Sequence, residues 1–196
     1  MSWSKDKDGP DSRAEAGRRG YHHGNLREAL IKAALDLILA KGLAGVNFAE
    51  AARAAGVSPA APYRHFRDRD ALLADVARQG YELFADRLGA AWNDGRPDPM
   101  TAFNQVGKAY LAFARSEPAY YTAMFEAGIA LDDHPDLRLA GDKAFAIVRT
   151  AADVLSATLP KGRRPPALMM ALHIWSLSHG IASLFARGDG GGASCP

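Results

Sequence analysis

The sequence predicts an all-α chain, and three observations carry that expectation. Apolar residues recur at three- and four-residue spacing along most of its length, and no segment sustains the period-two alternation of a half-buried strand. Segment starts are marked by polar residues followed by proline, at Asp98-Pro99, Glu117-Pro118 and His134-Pro135, and again near Pro166. Proline in a first helical turn gives up an N–H that has no partner there. Finally, residues 167–186, ALMMALHIWSLSHGIASLFA, carry no formal charge and repeat their apolar residues at helical spacing.

The first helix is expected over Leu26–Lys41, between an Asn25 cap and a Gly42 stop, with Leu30, Ala33, Ala34, Leu37 and Ile38 on one face. A short helix follows over Phe48–Ala55, where Asn47 and Glu50 have the spacing of a capping box. Gly56 turns the chain. Ser58 then caps a third helix, with Pro59 at its first position and its end near Phe66. Asp68 caps a fourth that reaches Trp92. Further helices are expected over 99–115, 118–129, 135–159 and 166–187. Residues 1–20 read as a disordered arm and the glycine-rich residues 188–196 as a disordered tail.

Composition is that of a globular protein, with 48% hydrophobic and 23% charged residues and a net charge of +2. Residues 1–80 hold 13 Lys/Arg against 10 Asp/Glu, so the positive excess sits toward the N-terminus, where an anionic partner would bind. Cys195 is the single cysteine, which excludes an intramolecular disulfide and Cys-based metal spacing; no metal or cofactor is expected. The N-terminal residues have no apolar run, so a cytoplasmic setting is expected. Residues 167–186 meet the length of a membrane span, but their histidines, serines and glycine favour a buried helix, and no membrane partner is expected.

Residues 55–73, AGVSPAAPYRHFRDRDALL, set small side chains directly before a run of phosphate-binding ones. Two short helices joined by Ala-Gly-Val-Ser make a helix-turn-helix, whose second helix would enter a major groove. Short alanines at its start let the helix N-terminus approach DNA, and their methyls can touch a thymine methyl.

Residues 21–73 resemble the DNA-binding domain of the TetR family of transcriptional repressors, in the pattern AGVS…YRHF…R…LL. WSLSHG, residues 175–180, resembles the Trp-x-x-x-His-Gly signature of one branch of that family. The resemblance implies a DNA-binding domain over 21–70 and a helical ligand-binding and dimerisation domain over 71–187. It implies phosphate contacts at Ser58, Tyr63, His65 and Arg69, and at Asn47, where the family often has Thr or Ser. Ala60, Ala61 and Arg64 fall in the base-facing stretch, and Arg64 is its one long donor. The family more often has Gly-x-Leu or Gly-x-Ile where this chain has Ala60-Ala61-Pro62, which thins direct readout. Arg18, Arg19, His22 and His23 are candidates for a minor-groove arm or for a solvated tail.

In the last helix Met170, Ile174, Leu177, Ile181 and Leu184 follow four-three spacing, a coiled-coil-like seam. Gly180, beside it, would allow close backbone approach. The resemblance implies that residues 136–159 and 166–187 pair with a second copy, giving a homodimer. It also implies an effector pocket, for which Phe103, Tyr110, Tyr120, Tyr121, Met124, Phe125, Trp175 and His179 are candidates; each could equally be core. The expected function is a repressor that leaves a palindromic double-stranded DNA operator when a small apolar or aromatic effector binds. An activator, or a structural DNA-binding protein without effector, stays open. An enzyme is not expected: His173 and His179 have no acid, nucleophile or metal partner at readable spacing, and HExxH, GxSxG and P-loop patterns are missing.

Overall fold

The computed structural model describes residues 26–185. The expected arm and tail, with Arg18, Arg19, His22 and His23, and the Asn25 cap, lie outside the described residues. Among those described there is no strand. Seven α-helices follow one another: α1 (Leu26–Lys41), α2 (Phe48–Ala54), α3 (Arg69–Trp92), α4 (Pro99–Ser116), α5 (Pro118–Glu126), α6 (Pro135–Ala157) and α7 (Ala167–Phe185).

Local chemistry accounts for most of the boundaries. Gly42, at φ 68°, ends α1 in a conformation that favours glycine. Asn47 Oδ1 accepts from the Glu50 N–H at 2.9 Å, but the reciprocal half of a capping box is not made. The Glu50 carboxylate instead takes Lys41 at 2.5 Å and Arg53 at 2.6 Å. Asp68 caps α3 by accepting from the Ala71 N–H at 2.8 Å. Asp98 caps α4 through the N–H groups of Met100 and Thr101. Helix α5 stops at Glu126, short of the expected Ile129.

The third expected helix is the main departure. Residues 58–66 form no α-helix; turns lead into a 3₁₀ turn over Pro62–Arg64. Pro62 has no N–H to send back to Ser58, and the Ser58 carbonyl accepts from Ala61 at 2.9 Å instead. Three-residue closures continue with Arg64 N–H to Ala61 and His65 N–H to Pro62; a four-residue bond appears only at Phe66 N–H to Pro62, 3.0 Å. A proline placed where the first α-turn should close costs this segment its α-helical ladder, not merely an edge bond.

Side chains gather in two cores. One joins Leu30, Ile31, Leu37 and Ile38 of α1 with Phe48, Phe66 and Leu72, Leu73 and Val76 of α3, and it takes in Ala119 and Ala123 of α5 and Leu137 of α6. The other joins Phe84 and Leu88 of α3 with Phe103, Tyr110 and Phe113 of α4, Tyr121 of α5, Val148 and Leu155 of α6, and Ala171 and Ala182 of α7. Helix α3 therefore runs through both, and α6 dips its first turn into the first core. Gly80 lets α5 lie close on α3: a Cβ there would meet Met124 Sδ at 2.8 Å.

The α3 cap makes a prediction about acid stability. The Ala71 N–H, then the Arg67 guanidinium, hold the Asp68 carboxyl below its ordinary range. Its folded pKa lies below its unfolded one, so its contribution is present above the unfolded value and is lost as pH falls through the folded value. Asp68→Asn keeps a capping oxygen without the titration. A plot of urea midpoint against pH is expected to have a flatter acid limb in that variant than in the parent chain.

Candidate functional site

The segment from Asn47 to Arg69 presents some of the expected DNA-facing residues and withholds others. Asn47, Ser58, Ala60, Tyr63 and Arg64 are exposed. Tyr63 is 67% exposed, although its ring stands edge-on to Phe48 at 4.9 Å and 87°. Its position on the surface is therefore defined while its hydroxyl faces solvent. Arg64 sits at the end of the 3₁₀ turn with its side chain in the open. His65 is half-buried.

Two residues differ from expectation. Ala61 is only 9% exposed, so its methyl is withdrawn from the surface on which a base would be met. Arg69 uses its guanidinium on the protein itself: Nε donates to the Val46 carbonyl at 2.9 Å, Nη2 to the Leu43 carbonyl at 2.8 Å and Nη1 to Asp70 at 3.2 Å. The fork that makes arginine a good phosphate ligand here ties the loop between α1 and α2 to the start of α3.

The second candidate region lies among α4, α5 and α7. Tyr121 Oη and His179 Nδ1 are 2.7 Å apart. Tyr110 Oη is 3.4 Å from the same nitrogen, and Ser183 Oγ is 3.4 Å from Nε2. This polar cluster is enclosed by rings. Tyr110 meets Trp175 at 5.5 Å and Phe84 at 5.0 Å; Phe125 lies 4.7 Å from the His179 ring and 4.8 Å from the Tyr121 ring. Burial raises the pKa of Tyr110 and Tyr121, so both hydroxyls stay protonated and can donate. Burial likewise pushes Tyr81 up to about 12.

Of the expected wall residues, Tyr110, Tyr121, Phe125, Trp175 and His179 are therefore brought into contact. Phe103 is buried in the same core. Tyr120 and Met124 lie on the α5 face toward α3, where the Tyr120 hydroxyl donates to Gln79 at 3.4 Å. Tyr110 and Tyr121 are only 2% and 3% exposed, so their own rings fill the space between the helices. Sequence reasoning missed Phe84 and Ser183. Ser183 stands four residues after His179, one helical turn on, which was the available signal.

The expected seam on α7 is divided. Met170 and Ile174 pack partly against the second core, whereas Leu177, Ile181 and Leu184 are exposed. Leu168, Met169 and Leu172 are exposed as well. The stripe runs along the border between the packed and open sides of the helix, and the open side is wider than the seam. Gly180 faces open space. By length and composition α7 could cross a membrane, but it packs on α4 and α6 within the bundle.

With this geometry in view, comparisons with known proteins place the chain. Residues 30–76 match the family model described as bacterial regulatory proteins, tetR family. Residues 103–193 match that of the tetracyclin repressor-like C-terminal domain. Among curated proteins, the chain is 26% identical over 132 residues to the HTH-type transcriptional regulator AlkX of Mycobacterium tuberculosis. It is 26% identical over 100 residues to the uncharacterised HTH-type transcriptional regulator YobS of Bacillus subtilis. The matches cover 67% and 51% of this chain, and they span only 61% and 51% of those relatives. A solved protein of unknown function from Rhodococcus sp. RHA1 is 30% identical, with a TM-score of 0.70 over 88% of this chain and 89% of that one. The TetR family regulator PfmR of Thermus thermophilus shares the fold at 16% identity, with a TM-score of 0.67 over 82% of this chain and 88% of that one. Both halves of the fold thus match one family, and the chain belongs to the TetR family of DNA-binding transcriptional regulators.

Proposed function

We propose that the chain acts as a homodimeric repressor, bound to a palindromic operator and released from it by a small apolar or aromatic effector. The observation that carries this reading is the double use of α7. One side sends Trp175 and His179 into the aromatic cluster with Tyr121, and the other leaves Leu177, Ile181 and Leu184 uncovered. A molecule that wedges between Tyr121 and His179 would move the helix that meets the second subunit. Movement of α7 changes the spacing of the two DNA-reading segments, and a ligand that favours one spacing shifts the population toward it.

In this reading Ser58, Ala60, Tyr63, Arg64 and Asn47 face DNA, His65 flanks them, and Arg69 supports them from within. Residues 21–70 form the DNA-binding domain, with the first turns of α3 completing its core, and 71–187 the effector and dimer domain. A regulator of this kind works in the cytoplasm. The dense ring packing around Tyr110 favours a second reading, a DNA-binding regulator that needs no effector.

Selection of bound duplexes from a random pool tests the proposal. A palindromic consensus is expected. Arg64→Ala is expected to weaken binding to it roughly five- to a hundredfold, about 1–3 kcal/mol, and to relax one position of the consensus. Binding that depends on salt and ignores sequence would overturn it. A library that releases the selected duplex supports the effector, and a library in which nothing does supports the second reading.

A further inference from the structure

The 3₁₀ turn over Pro62–Arg64 is too short to hold its own shape with hydrogen bonds, so side chains must hold it. At its start Tyr63 leans on Phe48 of α2. At its end Phe66, 4% exposed, returns its N–H to Pro62 and packs its ring into the first core. The guanidinium of Arg27, from α1, lies 4.9 Å from the centre of that ring. Arg27 is held there by Asp75 of α3, which accepts from Arg27 Nε at 2.8 Å through Oδ2. Asp75 is 5% exposed, and its other oxygen takes Arg78 at 3.0 Å from Nε and 2.8 Å from Nη2. A cleft of about 310 Å³, lined by Arg27, Phe66, Asp75, His134 and Leu137 among others, opens beside this contact toward the first turn of α6.

We propose that Arg27 is a positioning residue for the DNA-reading turn. The proposal rests on reading residues 58–65 as the DNA-facing segment. Asp75 fixes Arg27, Arg27 covers Phe66, and Phe66 sets the end of the turn that carries Tyr63 and Arg64. A planar guanidinium pairs edge-on with a carboxylate and lies face-on against a ring at once, whereas an ammonium is a single point charge that must share one nitrogen between the two partners. The Arg27 side chain is 48% exposed, and Asp75 keeps both contacts to Arg78 through its other oxygen without it, so the buried carboxylate retains a cation in the variants.

The experiment compares the full chain with Arg27→Lys and Arg27→Met, on the duplex selected from the random pool and on a scrambled duplex, over a range of salt. Affinity for the selected duplex is expected to fall roughly three- to tenfold in both variants. Affinity for the scrambled duplex and the salt slope should not change. A merely structural residue would weaken both duplexes alike along with the melting temperature. A direct phosphate contact would lower the salt slope of Arg27→Met by about one. Either result overturns the proposal, as does unchanged binding. Phe66→Leu, which keeps a buried apolar side chain, provides an independent arm. It should lower the ratio of selected to scrambled affinity by itself, and its effect should not add to that of Arg27→Met. Additive losses would mean that the ring contact is not the route.

Discussion

Replacing Leu177 with glutamate is expected to leave the protomer folded, to abolish pairing of two copies and to remove operator binding with it. Leu177 is 61% exposed on the open side of α7, so a carboxylate there meets water in the single chain. In the proposed two-fold dimer every substitution occurs twice across a self-complementary surface. Two carboxylates would then enter a dry apolar interface without a cation, at a cost of several kcal/mol. Sedimentation should report a monomer, while far-ultraviolet circular dichroism should retain the helical signal. Gly180→Leu supplies a steric counterpart. A Cβ at Gly180 finds no neighbour within 4 Å, and the substitution improves helix propensity by nearly 1 kcal/mol. If α7 pairs with its copy, this variant too should lose the dimer. A Leu177→Glu chain that still sediments as a dimer would remove α7 from the interface.

Truncating Phe84 to alanine should cost about 3–5 kcal/mol of folding free energy, read from urea unfolding. Phe84 is fully buried, with ring centroids 4.8 Å from Phe113, 5.0 Å from Tyr110 and 5.9 Å from Trp175. It links α3 to α4 and α7, so a cavity there has walls on three helices and cannot close by the shift of one. Against a total stability of about 5–15 kcal/mol, that loss is a large share. Phe84→Leu, which keeps most of the volume, should cost far less. Equal costs would mean that the site relaxes around the missing ring and that the cluster is not a rigid wall.

Much of this fold is legible residue by residue. The end of α1 and the cap of α3 follow from Gly42 and Asp68, because helix ends are decided by groups within a turn of one another. The reading failed where two local rules competed. Pro59 is a sound helix start, but Pro62 removes the bond that would close the first α-turn, and a 3₁₀ turn results. The burial of Ala61 is likewise visible only in the folded chain. The family resemblance implies a phosphate contact for Arg69; only the folded loop shows two carbonyls within its reach. Asp75 could have been noticed as a carboxylate amid Leu72, Leu73 and Val76, although its partner Arg27 lies 48 positions away.

The sequence by itself determined an all-α chain, most helix starts, a short polar segment proposed to face DNA and an unusually apolar last helix, since each depends on residues within a few positions. Only the tertiary structure decided the joining of Tyr121 to His179, the hold of Asp75 on Arg27 and the split of α7 into packed and open sides. Those arrangements depend on side chains tens of residues apart whose meeting is set by how helices pack, and helical periodicity is silent about which neighbour a face will meet.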